Sequence, residues 1–396
     1  MKKAILINLD LLKSNEYKDV KYLEVIKNNL IHLAEEGENA ICFYSRDNKV
    51  INGAKKYYQD KHPDVKFIFK TRIELEKIIE KHKDDRHHYV FVGKKDADFF
   101  MAIKYKLLLI VPTWMNTEEK AEKYGVKVDN IKQLIMFINA LNNQNYWYSK
   151  IKVDEITTVY SLMDARYGCY AKSNKEKEMV QNFQNLLKKG ASRSYYDILL
   201  YHFLSAITNI KSFDDITIWG IIPSSNCSLN QDMLNFKEQV RYIKKGDQKN
   251  IAYNNVLVRH TEKNKAQGAG YERSTYGSVK EFNTVMINPE FKTKIDKLLE
   301  KNELNVCIFD DYLTHGNSFD SVRNLFERLG ANKIICVSLG SFCTCYEKNN
   351  YEINGDVFSN AYTYSHIEHA PISSSDFEIN NSAKDEIESL YYIFNK

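Results

Sequence analysis

Only five prolines and 15 glycines punctuate the 396 residues. Collagen-like and Pro/Gly-rich disordered classes are therefore excluded, and most of the chain is left to regular elements. No apolar run approaches the roughly 18 uninterrupted residues that a membrane span needs. The start, MKKAILINLDLLKSN, is broken by Asp10 before any cleavage-type site, so neither export nor a membrane is expected. The seven cysteines are odd in number and do not form a disulfide framework. Cys42, Cys307 and Cys336 lie in apolar runs and read as small buried hydrophobes of a reducing cytoplasm. Cys343 and Cys345 form a lone CxC without a second ligand pair, too little for a metal signature. Charge of neither sign dominates: 56 basic against 52 acidic residues, net +4, is far from the balance of a dedicated nucleic-acid binder.

What is there is a 43% hydrophobic, 27% charged chain, a balance that can bury a core. Its length suggests two domains at about 150 residues or somewhat more each. Over the first 115 or so positions, apolar runs (AILINLD, NAICFYS, VKFIFK, YVFVG, LLLIVPT) alternate with amphipathic stretches, the signature of a βαβ parallel sheet. YLEVIKNNLIHLAEEG carries apolar residues at helical spacing and stops at Gly37. Polar NNQNYWYSK marks a boundary, giving domains over 1–145 and 146–396. Beyond it a helical segment runs from about Asn174 through LLYHFLSAITNI, and strands then return in ITIWGIIPSS, NNVLVRH, NVCIFDDY and KIICVSLGSF. The fold class expected is α/β, with a Rossmann-like parallel sheet followed by a second α/β domain.

The most informative segment is NVCIFDDYLTHGNSFDSVRNLFERLG, residues 305 to 330. An apolar strand delivers Asp310 and Asp311 into a small polar loop from which a helix opens. Backbone N–H groups of Thr314, His315, Gly316 and Asn317, with the helix N-terminus, would make a concave anion site. Gly316 admits close backbone approach, and the hydroxyls of Thr314 and Ser318 can donate to phosphate oxygens. The paired carboxylates would repel a phosphate, so they should face sugar hydroxyls and an associated Mg²⁺. The segment FDDYLTHGNS resembles the signature of type I phosphoribosyltransferases, which bind 5-phosphoribosyl-1-pyrophosphate (PRPP); His315 stands where that signature has a second Thr. Upstream, Pro223, Ser224 and Ser225 after a strand resemble the family's pyrophosphate loop. LVRHTEKNKAQGAGYERSTYGSVKEFN, residues 257 to 283, resembles the flexible loop of the ComF-like subgroup through Arg259, Gln267 and Arg273. The resemblance implies Mg²⁺-assisted displacement at the anomeric carbon of PRPP by a nitrogen of a base-like acceptor. Arg259 and Arg273 would close over the departing pyrophosphate. Tyr362 and Tyr364 are read as packing residues rather than as a base-stacking platform.

INLDLLKS (7 to 14), FYSRD (43 to 47) and FVGKKDADFFMAIKYKLLLIVP (91 to 112) resemble, in order, three motifs of the haloacid dehalogenase (HAD) superfamily. Ser45 matches the second motif, while Asp10, Asp96 and Asp98 fall where that family places acids and magnesium ligands. Asn8 occupies the nucleophile's place, and an amide cannot form an aspartyl-phosphate. The N-terminal domain is therefore expected to lack phosphatase activity and to serve in binding or assembly. Three functions stand at this point. The first is a cytoplasmic phosphoribosyltransferase with Mg²⁺ and PRPP, with a homodimer left open. The second is a PRPP- or nucleotide-sensing protein without turnover. The third is a bifunctional phosphatase and transferase of the kind resembling bacterial stress-response clusters.

Overall fold

A computed structural model describes residues 2–17, 19–142, 147–166, 173–189, 194–245, 254–263 and 277–395. Two six-stranded sheets organise them, and the chain passes from one to the other between Val128 and Ser149.

The first sheet is wholly parallel, in the order β3-β2-β1-β4-β5-β6, from β1 (Ala4–Asn8), β2 (Ala40–Ser45), β3 (Phe67–Thr71), β4 (Tyr89–Val92), β5 (Leu108–Pro112) and β6 (Val126–Val128). Strands β1 and β5 are buried along their whole length, as expected of a parallel sheet covered on both faces. Helix Val20–Glu35 begins at Asp19, whose side chain accepts from the Lys21 amide, and buries Leu23, Ile26, Leu30 and Leu33 at helical spacing. Gly37, at φ +71°, lets the chain turn out of it. Order reverses beside β1, so the ends of β1, β2 and β4 bring residues 8, 45 and 93 to one edge, where open α/β sheets place their sites.

The second sheet is mixed, in the order β18-β7-β8-β13-β12-β9. Strands β8 (Thr157–Asp164), β9 (Ile218–Ile221), β12 (Asn305–Leu313) and β13 (Lys333–Ser341) are parallel. β7 (Ser149–Lys152) runs against them beside β8, and β18 (Glu378–Ile379), antiparallel to β7, closes that edge. Three antiparallel pairs flank this sheet: β10 (Leu257–Arg259) with β11 (Val285–Ile287), β14 (Cys345–Tyr346) with β17 (Ile372–Ser373), and β15 (Asn349–Asn354) with β16 (Thr363–His369). Helices Lys292–Glu300 and Asn317–Leu329 and the β10–β11 pair pack on one face. Helices Ser194–Asn209, Gln231–Lys245 and Ser382–Phe394 pack on the other.

That second face is continuous with the first sheet's core. One buried cluster runs from Ile5 and Phe137 through Phe203 and Phe309 to Ile393. Phe99, Tyr124 and Tyr242 stack at 5.3 and 4.2 Å between ring centres, joining helix Asp96–Lys104 to helix Gln231–Lys245. Asp214 accepts from Lys244 at 2.8 Å and pairs with Arg86 from the first half. No helix among the described residues is long and apolar enough to cross a membrane.

Candidate functional site

Phe309 is fully buried and sits among Phe203, Phe236 and Trp219 at 5.7, 5.6 and 6.1 Å. Each such aromatic pair is worth about 0.5–1.5 kcal/mol beyond its buried area, so the strand is rigid up to the residue before Asp310. Strand register then sets the site. Phe309 lies beside Ile221 and Asp310 beside Ser338, so the Asp pair and the turn after β9 emerge at the same sheet edge. The Ile222 amide donates to the Phe309 carbonyl and fastens that turn to β12.

Asp310 and Asp311 are half-buried, and each accepts from the next residue's amide, at 2.9 and 2.7 Å. Burial first, then the Asp311 charge, pushes the Asp310 carboxyl well above the usual carboxylate range. No ion pair among the described residues offsets Asp310. Two neighbouring carboxylates, one of them pushed this far up, suit a divalent cation carried by a ligand.

Past β12 the chain turns at Gly316, φ +81°, and a Cβ there would meet the Tyr346 ring at 2.3 Å. Both the left-handed backbone and the ring beneath it demand glycine. Helix Asn317–Leu329 starts immediately with no side-chain cap, so its first turn faces a recess of about 190 Å³ lined by Thr314, His315, Gly316 and Asn317. This arrangement suits a phosphate. His315 keeps its carbonyl on the Glu347 amide, which holds the turn from below.

Next to the recess lies a cleft of about 660 Å³ that brings Pro223, Ser224, Ser225, Arg259, Asp310, Asp311 and Ser318 together. Segments separated by more than 80 positions thus share one space. Arg259 ends β10 and is buried rather than carried on an open loop. Its guanidinium donates to the Pro223 and Ser224 carbonyls at 3.1 and 2.9 Å and to Thr284, and pairs with Glu281 at 2.8 Å. Arg259 therefore braces the Pro223–Ser225 turn. Gln267 and Arg273 lie outside the described residues.

Two site residues escaped the sequence reading. Lys263 donates its amide to the Ser225 carbonyl at 2.8 Å and its ammonium to Glu281. Glu281, buried, also accepts from Ser318 Oγ at 2.8 Å. Burial would raise Glu281, but the Lys263 and Arg259 charges outweigh it and hold the carboxyl below its ordinary range. Nothing in the string VKEFN sets that glutamate apart from an exposed helix residue. Tyr362 donates to the Phe282 and Val285 carbonyls, and Tyr364 rests on Phe282 at 4.9 Å, so both pack. Cys343 donates to the Cys345 carbonyl, and burial pushes its thiol up to about 12.

At the first sheet's edge, Asp98 is fully buried. It accepts from Asn8 Nδ2 at 2.9 Å to both oxygens, from Tyr44 Oη at 2.9 Å, from Arg72 Nη2 at 2.5 Å and from the Lys95 amide at 3.1 Å. Burial and the Asp98 charge push the Tyr44 phenol far up, so it stays a donor. Asp10 is paired with Lys13 and Lys95. Asp96 accepts from the amides of Lys120 and Ala121, capping helix Glu119–Tyr124, and Ser45 Oγ accepts from the Asp47 amide. These residues do not fit a magnesium ion: Asp98 is saturated by donors, and Arg72 already supplies the positive charge beside it. No group of three or more His, Cys, Asp or Glu among the described residues is placed to hold a metal.

Comparison with protein-family models, curated proteins and solved structures finds no match to this chain.

Proposed function

We propose that the second half of the chain binds PRPP with Mg²⁺ and transfers its phosphoribosyl group to a nitrogen of a base-like acceptor. One observation carries this reading. The Asp310–Asp311 pair, the Gly316 turn and the Pro223–Ser225 turn line adjoining recesses at one sheet edge. In this reading the amides around Gly316 and the hydroxyls of Thr314 and Ser318 take the 5-phosphate. Asp310 and Asp311 accept from the ribose hydroxyls. The Ser224 and Ser225 turn, with Lys263, takes the diphosphate. The anomeric C–O bond breaks with its electron pair leaving on diphosphate, a C–N bond forms, and the acceptor's proton passes to solvent. Holding both partners in place and balancing diphosphate charge supply the rate, so no dedicated base is required. The Mg²⁺ ion would neutralise diphosphate charge. The test is calorimetric titration with PRPP and Mg²⁺, then pyrophosphate release across a panel of nucleobases. Absence of PRPP binding would refute the reading.

A second reading, binding without turnover, is favoured by the position of Arg259, whose guanidinium is fully engaged by the protein itself. PRPP binding with no pyrophosphate released for any acceptor would select it. For the first half we propose a binding or assembly role without phosphatase chemistry, supported by Asn8 at the end of β1 and by the Arg72–Asp98 pair. Phosphate release from a generic phosphomonoester by the wild-type protein, abolished by Asp10→Ala, would overturn it.

A further inference from the structure

Inside the cleft, three donors from three separate elements converge on one buried carboxylate. Ser318 Oγ, from the first turn of helix Asn317–Leu329, and Lys263 Nζ both reach Glu281 Oε1, while Arg259 Nη2, from the end of β10, reaches Oε2. A guanidinium, an ammonium and a hydroxyl gathered around two oxygens are the donor set that binds a phosphate. Here the protein supplies the anion. Ser318, Lys263 and Glu281 all face the space shared with Asp310 and Asp311, and the Glu281 charge helps to push the Asp310 carboxyl upward.

Resting on the PRPP reading, we propose that Glu281 is a positioning residue that occupies the phosphate donors of the unliganded protein and gives up Lys263 to the diphosphate and Ser318 to the 5-phosphate. Charge argues for exchange rather than addition. A diphosphate placed beside Glu281, Asp310 and Asp311 would join a cluster of like charges within a poorly solvated cleft, whereas replacing Glu281 leaves the donors satisfied. Until ligand arrives, the carboxylate keeps the Arg259 guanidinium from lying buried without a counter-charge, a costly state. The Arg259 contacts to the Pro223 and Ser224 carbonyls do not involve Glu281. The turn therefore stays braced while Glu281 lets go. Ligand entry is thus a swap of one anion for another on a preformed set of donors.

The experiment titrates PRPP and inorganic pyrophosphate, each with Mg²⁺, into wild type, Glu281→Gln, Glu281→Asp and Lys263→Gln, with thermal melting of each. Glu281→Gln removes the competing charge and is expected to bind both ligands about ten-fold more tightly, a change of roughly 1.4 kcal/mol. Glu281→Asp is expected to restore wild-type affinity. Lys263 is partly exposed, so Lys263→Gln should melt near wild type and bind about ten-fold more weakly. A purely structural glutamate gives the opposite sign: Glu281→Gln melts lower and binds no more tightly, which overturns the proposal. If Glu281→Gln does not fold, unchanged affinity in Lys263→Gln overturns it instead. Binding in wild type without these shifts sinks the exchange alone, whereas absence of PRPP and pyrophosphate binding in every protein sinks the PRPP reading together with it.

Discussion

The side-chain amide of Asn8 sits 2.9 Å from both carboxylate oxygens of Asp98, joining the end of β1 to the first turn of the helix after β4. In this position a neutral donor stabilises a buried anion. Asn8→Asp replaces it with a second carboxylate against the first. The variant should lose about 2–4 kcal/mol of stability at neutral pH, as a buried unpaired charge does. Protonating one member of the pair relieves the repulsion, so the deficit should shrink on acidification. Denaturant unfolding at several pH values checks this. Full neutral-pH stability would show that Asp98 is better screened than its burial indicates.

Asp310→Asn should abolish PRPP binding, read by calorimetry, without loss of fold. It should also raise the melting temperature at neutral pH. The sign follows from the upward shift of the Asp310 carboxyl caused by burial and Asp311. A carboxyl that is harder to ionise when folded destabilises the native state above its unfolded pKa. Removing it therefore gains stability at neutral pH, and the gain disappears as the pH falls toward the ordinary carboxylate range. A lower melting temperature for the variant at neutral pH would contradict the shift.

Gly316→Ala should cost at least about 1–2 kcal/mol from the left-handed backbone alone. The Cβ placed 2.3 Å from the Tyr346 ring adds a steric term. Combining it with Tyr346→Ala should recover none of the backbone cost, so the double variant stays less stable than Tyr346→Ala. Equal stability of the two, measured in urea, would mean that the turn adopts another conformation.

Arg323, buried, holds helix Asn317–Leu329 from behind. It donates to Asp320 at 3.1 Å, to Glu327 at 2.9 Å and to the Asn349 carbonyl at 2.7 Å. Arg323→Met leaves Asp320 buried without its counter-charge and should cost about 3–5 kcal/mol. Burial already lifts the Asp320 carboxyl to about 7 against the pull of Arg323. Without Arg323 it rises further, so the loss should be greatest above pH 7 and diminish as the pH falls. A pH-independent loss, followed by denaturant unfolding, would assign the effect to packing.

Much of the architecture was legible from residue pattern. The apolar runs expected before position 115 are the strands β1 to β5, and Gly37 ends a helix, because strand and helix periodicity and a left-handed terminator are local properties. Strands β14 to β18 were not anticipated. β14, β17 and β18 are two residues each, while β15 and β16 are longer but carry many polar residues and form where a neighbour offers an edge. The role expected of Arg259 changed for the same reason: a string of basic and polar residues cannot announce that one arginine will be buried against two carbonyls.

The sequence by itself determined the alternation of strands and helices, the turn that needs Gly316, the adjacent Asp310 and Asp311, and an amide rather than a carboxylate at position 8. Each depends on neighbours a few positions away. Only the tertiary structure decided that Arg72 neutralises Asp98, that Tyr346 lies under Gly316, and that Arg259, Lys263 and Ser318 meet on Glu281. Those partners stand up to 37 positions apart, and strand order and helix packing place them at hydrogen-bonding distance.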